Sequence, residues 1–270
     1  ADWSQEVFEL LKSRLDKAYS CFDGTYNPQG PNHWLKVFLD SKADIFSQTY
    51  TIDDNPFLPE AFVENLKREY RGTVFYDRYI LGRWALAEGL IYPMFGESNI
   101  VDEEPPAGRY YISVDYGTLN PFSAGLWCVT KQGAVRIKEY YYSGRGTQKQ
   151  LTDEEYYQAI RELADGYNVD YVVIDPSAAS FITTVFRHNE FHVVKANNDV
   201  MDGIRRTSVY LKSGELKIHR QCKDAIREFG LYRWDEESTV DKVIKADDHA
   251  MDDIRYFANT ILVRYFPVMR

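Results

Sequence analysis

Three runs in the second half of the chain hold apolar, aromatic or β-branched residues over strand length: Tyr110–Tyr116 (YYISVDY), Phe122–Val129 and Ala134–Tyr142. Turns separate them, the second marked by Gln132-Gly133. The pattern then changes. Thr152–Tyr167 has helical spacing and opens on a capping box, Thr152-x-x-Glu155. Asp170–Asp175 (DYVVID) is short and β-branched, which predicts a buried strand. Ala178–His188 predicts a helix, Phe191–Lys195 a strand, Asp199–Leu211 a helix, Glu215–His219 a strand and Cys222–Tyr232 a helix. A last amphipathic segment from Asp248 to Val263 places Met251, Ile254, Ala258 and Ile261 on one stripe. Three meandering strands followed by strand–helix alternation predict an α/β domain, a mixed sheet flanked by helices on both faces.

Upstream the pattern is broken by turns. Trp3–Ala18 has helical spacing through Val7, Leu10, Leu11 and Leu15, and Pro59–Tyr70 predicts a second helix. Between and around them stand Asp23-Gly24, Asn27-Pro28, Gln29-Gly30-Pro31 and Asn55-Pro56. Nothing there begins a domain; it reads as the end of one. Asn99–Gly108 (NIVDEEPPAG) combines an acidic run, Pro-Pro and Gly, and marks the boundary. The expected division is 1–98, a linker at 99–108, and a domain at 109–270.

With 270 residues, 44% of them hydrophobic and 15% aromatic, the chain can build a sizeable core. At roughly 100–200 residues per domain the length predicts about one and a half to two domains. No run approaches the ~18 apolar residues of a membrane span, and the first residues lack a signal peptide's apolar stretch. Cys21, Cys128 and Cys222 are odd in number and far apart, which suits a reducing cytoplasm rather than a disulfide framework. The formal charge of −9 is unevenly placed. Residues 1–106 carry 10 Lys and Arg against 18 Asp and Glu, a net of −8, whereas 107–270 carry 22 against 23, a net of −1. A local basic face in the second half therefore stays open, and overall acidity does not exclude DNA.

Asp115 lies inside an apolar strand, where a carboxylate is costly unless paired. Asp175 ends a second apolar strand, directly before Pro176. The last helix adds Asp247, Asp248, His249, Asp252 and Asp253, and His249 shares a face with Asp252. Each acid alone has a structural explanation, as a turn residue, a cap or a complement to the helix dipole. Together, in a three-strands-first order, they form the ribonuclease H-like arrangement. Hard oxygen ligands with few thiols point to Mg²⁺ or Mn²⁺ rather than zinc. Two such ions, roughly 3.5–4 Å apart, can activate a water and stabilise the leaving oxygen of a phosphodiester.

YYISVDYGTLNP, YVVIDPSAASF and DDHAMDDIRYFAN resemble, in that order, the three nuclease motifs of the large terminase subunit of tailed bacteriophages. That family is the motor-nuclease that packages DNA into procapsids. GTYNPQGPNHW resembles its coupling segment, and DNPFLP and GRWALAEGLIYPMF resemble the closing stretch of its ATPase domain. The resemblance thus covers nearly the whole chain. It implies that Asp115, Asp175 and Asp252 bind metal, Asp115 bridging two Mg²⁺ or Mn²⁺ ions and the other two each completing a shell. The HxxD pattern places His249 beside Asp252, with Asp248 and Asp253 as open alternatives for the third acid. Thr25 and Asn27 match the coupling motif. There is no GxxxxGK[ST] and no apolar strand ending in Asp-Glu. The family's ATP-binding motifs are therefore expected N-terminal to Ala1. The chain is expected to join the C-terminal remnant of a P-loop-type ATPase domain to a whole nuclease domain. ATP would then belong only to the full-length protein, and no ATPase activity is expected of this chain alone.

The function this implies is a metal-dependent endonuclease that cuts double-stranded DNA when packaging begins and ends. Its implied partners are DNA, the portal protein, the small terminase subunit and further copies in a ring on the portal. Its implied place is the host cytoplasm at the procapsid portal, away from membranes and absent from the mature virion. A resolvase- or transposase-type nuclease is the alternative enzyme, against which PQGPNHW and DPSAASF stand. A non-catalytic module that grips DNA and docks on the portal is the alternative without chemistry. Arg205, Arg206, Lys212, Lys245 and Arg255 are candidates for phosphate contact, with a solvated surface as the plain alternative. His188 and His192 are four apart but fall either side of a helix-to-strand change, so they are not expected to pair on a metal. Tyr140–Tyr142 and Trp234 are expected to pack rather than to stack on bases.

Overall fold

The computed structural model describes residues 4–41, 45–117, 120–144, 149–238 and 240–268. Trp3, at the expected start of the first helix, and Thr118 and Leu119 of the first motif lie outside the described residues. The chain forms two compact units, Ala1–Gly89 with Trp234–Val243, and Leu90–Arg233 with Ile244–Arg270.

In the first unit, helix α1 is Gln5–Lys12, shorter than its periodicity predicts. Ser4 caps it by accepting from Val7 N, and Ser13 Oγ closes it by donating to Leu10 O (2.7 Å). Its buried Phe8 packs on Phe22, Trp34 and Phe38. The last two belong to α2 (Trp34–Leu39), six residues long and too short to show as a period. Helix α3 is Glu60–Tyr70. Arg78, buried, pairs with Asp241 at 2.6 Å, which ties the later excursion Trp234–Val243 into this unit. Thr25 and Asn27 lie exposed in an irregular segment.

The second unit is built on strands β1 (Ile100–Val101), β2 (Arg109–Asp115), β3 (Phe122–Val129), β4 (Ala134–Tyr142), β5 (Val169–Ile174), β6 (Val193–Lys195) and β7 (Leu216–His219). Their order in the sheet is β1-β7-β4-β3-β2-β5-β6. The meander β2-β3-β4 is antiparallel and every other pairing is parallel, which makes the sheet mixed. All eight residues of the central β3 are buried, and this explains its unbroken apolar run. Ile100–Val101 forms an edge strand inside the segment rich in acid and proline, where two residues are too few to leave a pattern.

Helices α4 (Asp153–Leu163) and α5 (Ala179–His188) cover one face. Tyr156, Tyr157, Ile160, Phe181 and Val185 pack there on Ile112, Val114, Phe122, Ala124, Val172 and Ile174. The capping box of α4 forms: Thr152 Oγ1 accepts from Glu155 N (3.2 Å), and Glu155 Oε2 accepts from Thr152 N (2.8 Å). Thr152→Ala should therefore lower stability by about 1 kcal/mol in urea denaturation. An unchanged midpoint would show that the box adds nothing to this helix.

The remaining helices are α6 (Val200–Ser213), α7 (Lys223–Phe229) and α8 (His249–Phe257), the last continuing through a π-turn at Ala258–Leu262 to Tyr265. Met251, Ile254, Ala258 and Ile261 are all buried, as the stripe predicts. The wide turn aims Asn259 and Thr260 at the segment after β6. Asn259 Nδ2 donates to Asn197 O (3.1 Å), and Thr260 Oγ1 accepts from Asn197 N (2.9 Å). Among the described residues no helix is long and apolar enough to cross a membrane.

Candidate active site

Strands β2 and β5 are parallel neighbours with Val114 opposite Ile174, so the next residue on each is an aspartate, Asp115 and Asp175. Since Val114 and Ile174 face α4 and α5, alternation turns both aspartates to the opposite face. Helix α8 covers that face, with Phe257 stacked 4.1 Å from Trp127.

A wholly buried ion pair sets how α8 lies. Arg136 on β4 donates to both oxygens of Asp253, at 3.0 Å to Oδ2. Ser113 (2.9 Å) and Ser123 donate to the same carboxylate, and Trp127 Nε1 donates to Ser113 Oγ (2.8 Å). A Cβ on Gly125 would stand 2.0 Å from Arg136 Nη1, so glycine is what lets the guanidinium cross β3. With Asp253 fastened to the sheet, Asp252 is rotated by about 100° and turns toward the strand ends.

The start of α8 is held separately. Asp247 adopts a left-handed φ of 50° and pairs with Arg227 at 2.6 Å as the chain enters the helix. Glu228 of α7, fully buried, accepts from Ala250 N and from Tyr141 OH, both at 2.7 Å. Burial pushes its carboxyl up to about 7. His249 Nδ1 then lies 2.8 Å from Asp115 Oδ2. Burial pushes Asp115 up to about 6, which His249 opposes and Asp252 reinforces. Burial pulls the imidazole down, but Asp115, Asp248 and Glu228 outweigh it and hold His249 above its ordinary value.

The other acids are compensated differently. Burial pushes Asp175 up, yet hydrogen bonds from Ser177, Tyr256 and Asn198 prevail and keep it below the usual range. Ser177 N donates at 2.7 Å and Asn198 Nδ2 at 3.3 Å. Asp252 Oδ1 accepts from Arg255 Nη2 (2.8 Å) and its Oδ2 from Lys245 Nζ (3.0 Å). Lys245 also stands 3.0 Å from Asp248. The Tyr256 hydroxyl lies 3.5 Å from Asp115 Oδ1.

The structure therefore gathers Asp115, Asp175, Asp252 and His249 at one edge of the sheet, with Asp248 joined through Lys245. Asp253 is turned away into the ion pair with Arg136. Among the described residues no three His, Cys, Asp or Glu side chains stand together in a metal-holding group. Protein groups occupy the acids instead, the His249 imidazole on Asp115 and the cations of Lys245 and Arg255 on Asp252. The donor chemistry fits a hard divalent ion: carboxylate oxygens and one imidazole, no thiol, and a desolvated Asp115.

Of the basic residues considered for phosphate contact, Arg205, Arg206 and Arg255 are buried. Arg206 binds Asn259, Arg205 binds Asp202, and Arg255 binds Asp252 with the carbonyls of Asn198 and Asp199. They face inward because each has an acceptor within the unit. Lys212 is half-buried and Lys245 mostly exposed. His188 stacks on Tyr157 (3.8 Å) and bonds Glu154, while His192 is exposed elsewhere. Tyr141 and Trp234 pack. Sequence reasoning missed Tyr256, Glu228, Asn198 and Arg136. Only Tyr256 left a signal, standing four residues after Asp252 on the same helix.

Acids on adjoining central strands and on a closing helix, in a sheet of this order, define a ribonuclease H-like α/β domain. The family described as the terminase RNaseH-like domain matches residues 112–260. The large terminase from the thermophilic bacteriophage D6E, in complex with ATP-γ-S, is 38% identical over 96% of this chain and 68% of that one, with a TM-score of 0.90. The phage P22 large terminase nuclease domain (19% identity, 66% of this chain, 93% of that one, TM-score 0.52) shares the fold. So does the large terminase nuclease of thermophilic phage G20c with bound cobalt (12%, 65%, 98%, 0.51). No curated protein matches the sequence. The chain belongs to the phage large terminase family.

Proposed function

We propose that this chain is a metal-dependent endonuclease that cuts double-stranded DNA at the start and end of packaging. The observation that carries the reading is the juxtaposition of Asp115 and Asp175 on neighbouring parallel strands with Asp252 and His249 delivered by α8. Asp115, Asp175 and Asp252 would hold two Mg²⁺ or Mn²⁺ ions, Asp115 being shared and His249 supplementing the site. When bound, such ions supply Lewis acidity toward the attacked phosphate and charge neutralisation at the leaving oxygen. The protein's own groups orient the acids. Glu228 fixes the start of α8, Ser177 and Asn198 keep Asp175 ionised, and the Tyr256 hydroxyl serves Asp115 and Asp175 together.

The proposal extends to the rest of the molecule. The first unit would be the end of an ATPase domain, with Thr25 and Asn27 in its coupling segment. ATP would be a ligand of the full-length protein, as ATP-γ-S and ADP are described for the D6E relative. DNA, the portal protein and the small terminase subunit would be partners at the procapsid portal in the host cytoplasm.

The ion pairs that Lys245 and Arg255 make with Asp252 favour a second reading, a non-catalytic module that grips DNA. One assay separates the two. Supercoiled plasmid should be nicked or linearised in Mg²⁺ or Mn²⁺ and stay intact in EDTA. Equal cutting after chelation and dialysis would overturn the metal assignment, and no cutting in either metal would leave the gripping module.

A further inference from the structure

We propose that Lys245 is the resident counter-cation of this site, held on Asp252 and Asp248 until a divalent ion displaces it. The inference rests on the assignment of Asp252 as a metal ligand. Both oxygens of Asp252 are already engaged, Oδ1 by Arg255 and Oδ2 by Lys245. A divalent ion at Asp252 would bring its charge up against both of these cations, and the one held more weakly is the one to leave.

Arg255 is not free to do so. Its side chain is 2% exposed, and Nη1 also donates to the carbonyls of Asn198 (2.8 Å) and Asp199 (3.3 Å). Helix α6 is cut back to admit it, since a Cβ on Gly203 would stand 2.3 Å from Arg255 Cγ. Displacing the guanidinium within the interior would strand two carbonyls and leave a buried cation without its acid.

Lys245 differs in each respect. Its side chain is 59% exposed, and its ion-pair partners, Asp248 and Asp252, both belong to the site. An ammonium on a four-carbon stem swings into water and is strongly hydrated there, so its departure costs little. While in place it puts one positive charge 3.0 Å from each of two carboxylates that would otherwise repel. Burial draws the Lys245 ammonium down, but Asp252 and Asp248 prevail and hold it above the ordinary lysine value, so the charge is constant near neutral pH. The exchange is a substitution of one cation for another on Asp252 Oδ2, with no proton gained or lost.

Direct Mn²⁺ binding to the whole chain, followed by calorimetry without DNA, tests this. Lys245→Ala should bind Mn²⁺ roughly tenfold more tightly than the parent, the effect of removing one close positive charge from a partly exposed site. Lys245→Arg, which restores a cation, should return toward the parental affinity. Asp252→Asn should lose binding. Thermal melts check that each variant is folded, and Lys245→Met, which keeps most of the stem, serves if alanine perturbs packing. Should Asp252→Asn lose binding while Lys245→Ala and Lys245→Met bind no tighter than the parent, the counter-cation proposal falls and the ligand assignment stands. Should Asp252→Asn bind as the parent does, or should neither parent nor Lys245→Ala bind Mn²⁺, the ligand assignment itself falls.

Discussion

Asp115→Ala should cut DNA at about a thousandth of the parental rate or less, and should make the metal-free chain more stable at neutral pH. The first effect is expected if, as proposed, Asp115 would be shared by two ions, whose electrophilic assistance would be worth several kcal/mol, about a thousandfold in rate. The second follows from the carboxyl being pushed up to about 6 from 3.8, mainly by burial. A folded value above the unfolded one means that the protonated form favours folding. That contribution is fully present below about pH 4 and is lost as the pH rises through about 6. Above that, charged and buried Asp115 costs on the order of 3 kcal/mol. Urea denaturation in EDTA should therefore show a larger gain for the variant near pH 8 than near pH 5. A variant cutting at a tenth of the parental rate would mean that another aspartate bridges the ions. Destabilisation near pH 8 would mean that the pair with His249 outweighs the burial.

Asp253→Ala should do the opposite and destabilise the second unit by about 3–5 kcal/mol, because it takes both hydrogen-bonded oxygens from buried Arg136 and leaves it only Glu139, at 3.6 Å, as a counter-ion. Asp252→Ala, one residue away, should lose cleavage and also cost stability, because it leaves buried Arg255 without its acid and with only the carbonyls of Asn198 and Asp199 to bond. Replacing Arg136 and Asp253 together by apolar residues of similar volume should recover much of the loss, since it removes both charges rather than one. Urea denaturation of the three variants measures the stabilities, and plasmid digestion in Mn²⁺ measures the cleavage. If Asp253→Ala melts with the parent and fails to bind metal, the third ligand is Asp253 and the rotation assigned to α8 is wrong.

These two predictions separate what local pattern could reveal from what it could not. Phe122–Val129 and Ala134–Tyr142 end where the apolar runs end, and the Thr152–Glu155 box forms as written. Each depends on residues within a few positions of one another. Trp34–Leu39 and Ile100–Val101 escaped because six and two residues are too few to establish a period. The return of Trp234–Val243 to the first unit escaped because it depends on Arg78 meeting Asp241.

By itself the sequence determined the strand and helix order, the class of fold, and the presence of single carboxylates at the ends of apolar strands, because backbone hydrogen bonding and burial act over short chain distances. Which carboxylates meet was decided only in three dimensions. Neighbouring parallel strands set Asp115 beside Asp175. The choice between Asp252 and Asp253, adjacent and chemically alike, fell to Arg136, 117 residues away in the chain, and to a glycine that lets it through. That Arg206 faces the interior was likewise decided by an acceptor distant in sequence, Asn259, 53 residues further along the chain. Charge pairing is settled by distance in space, and linear order does not encode that distance.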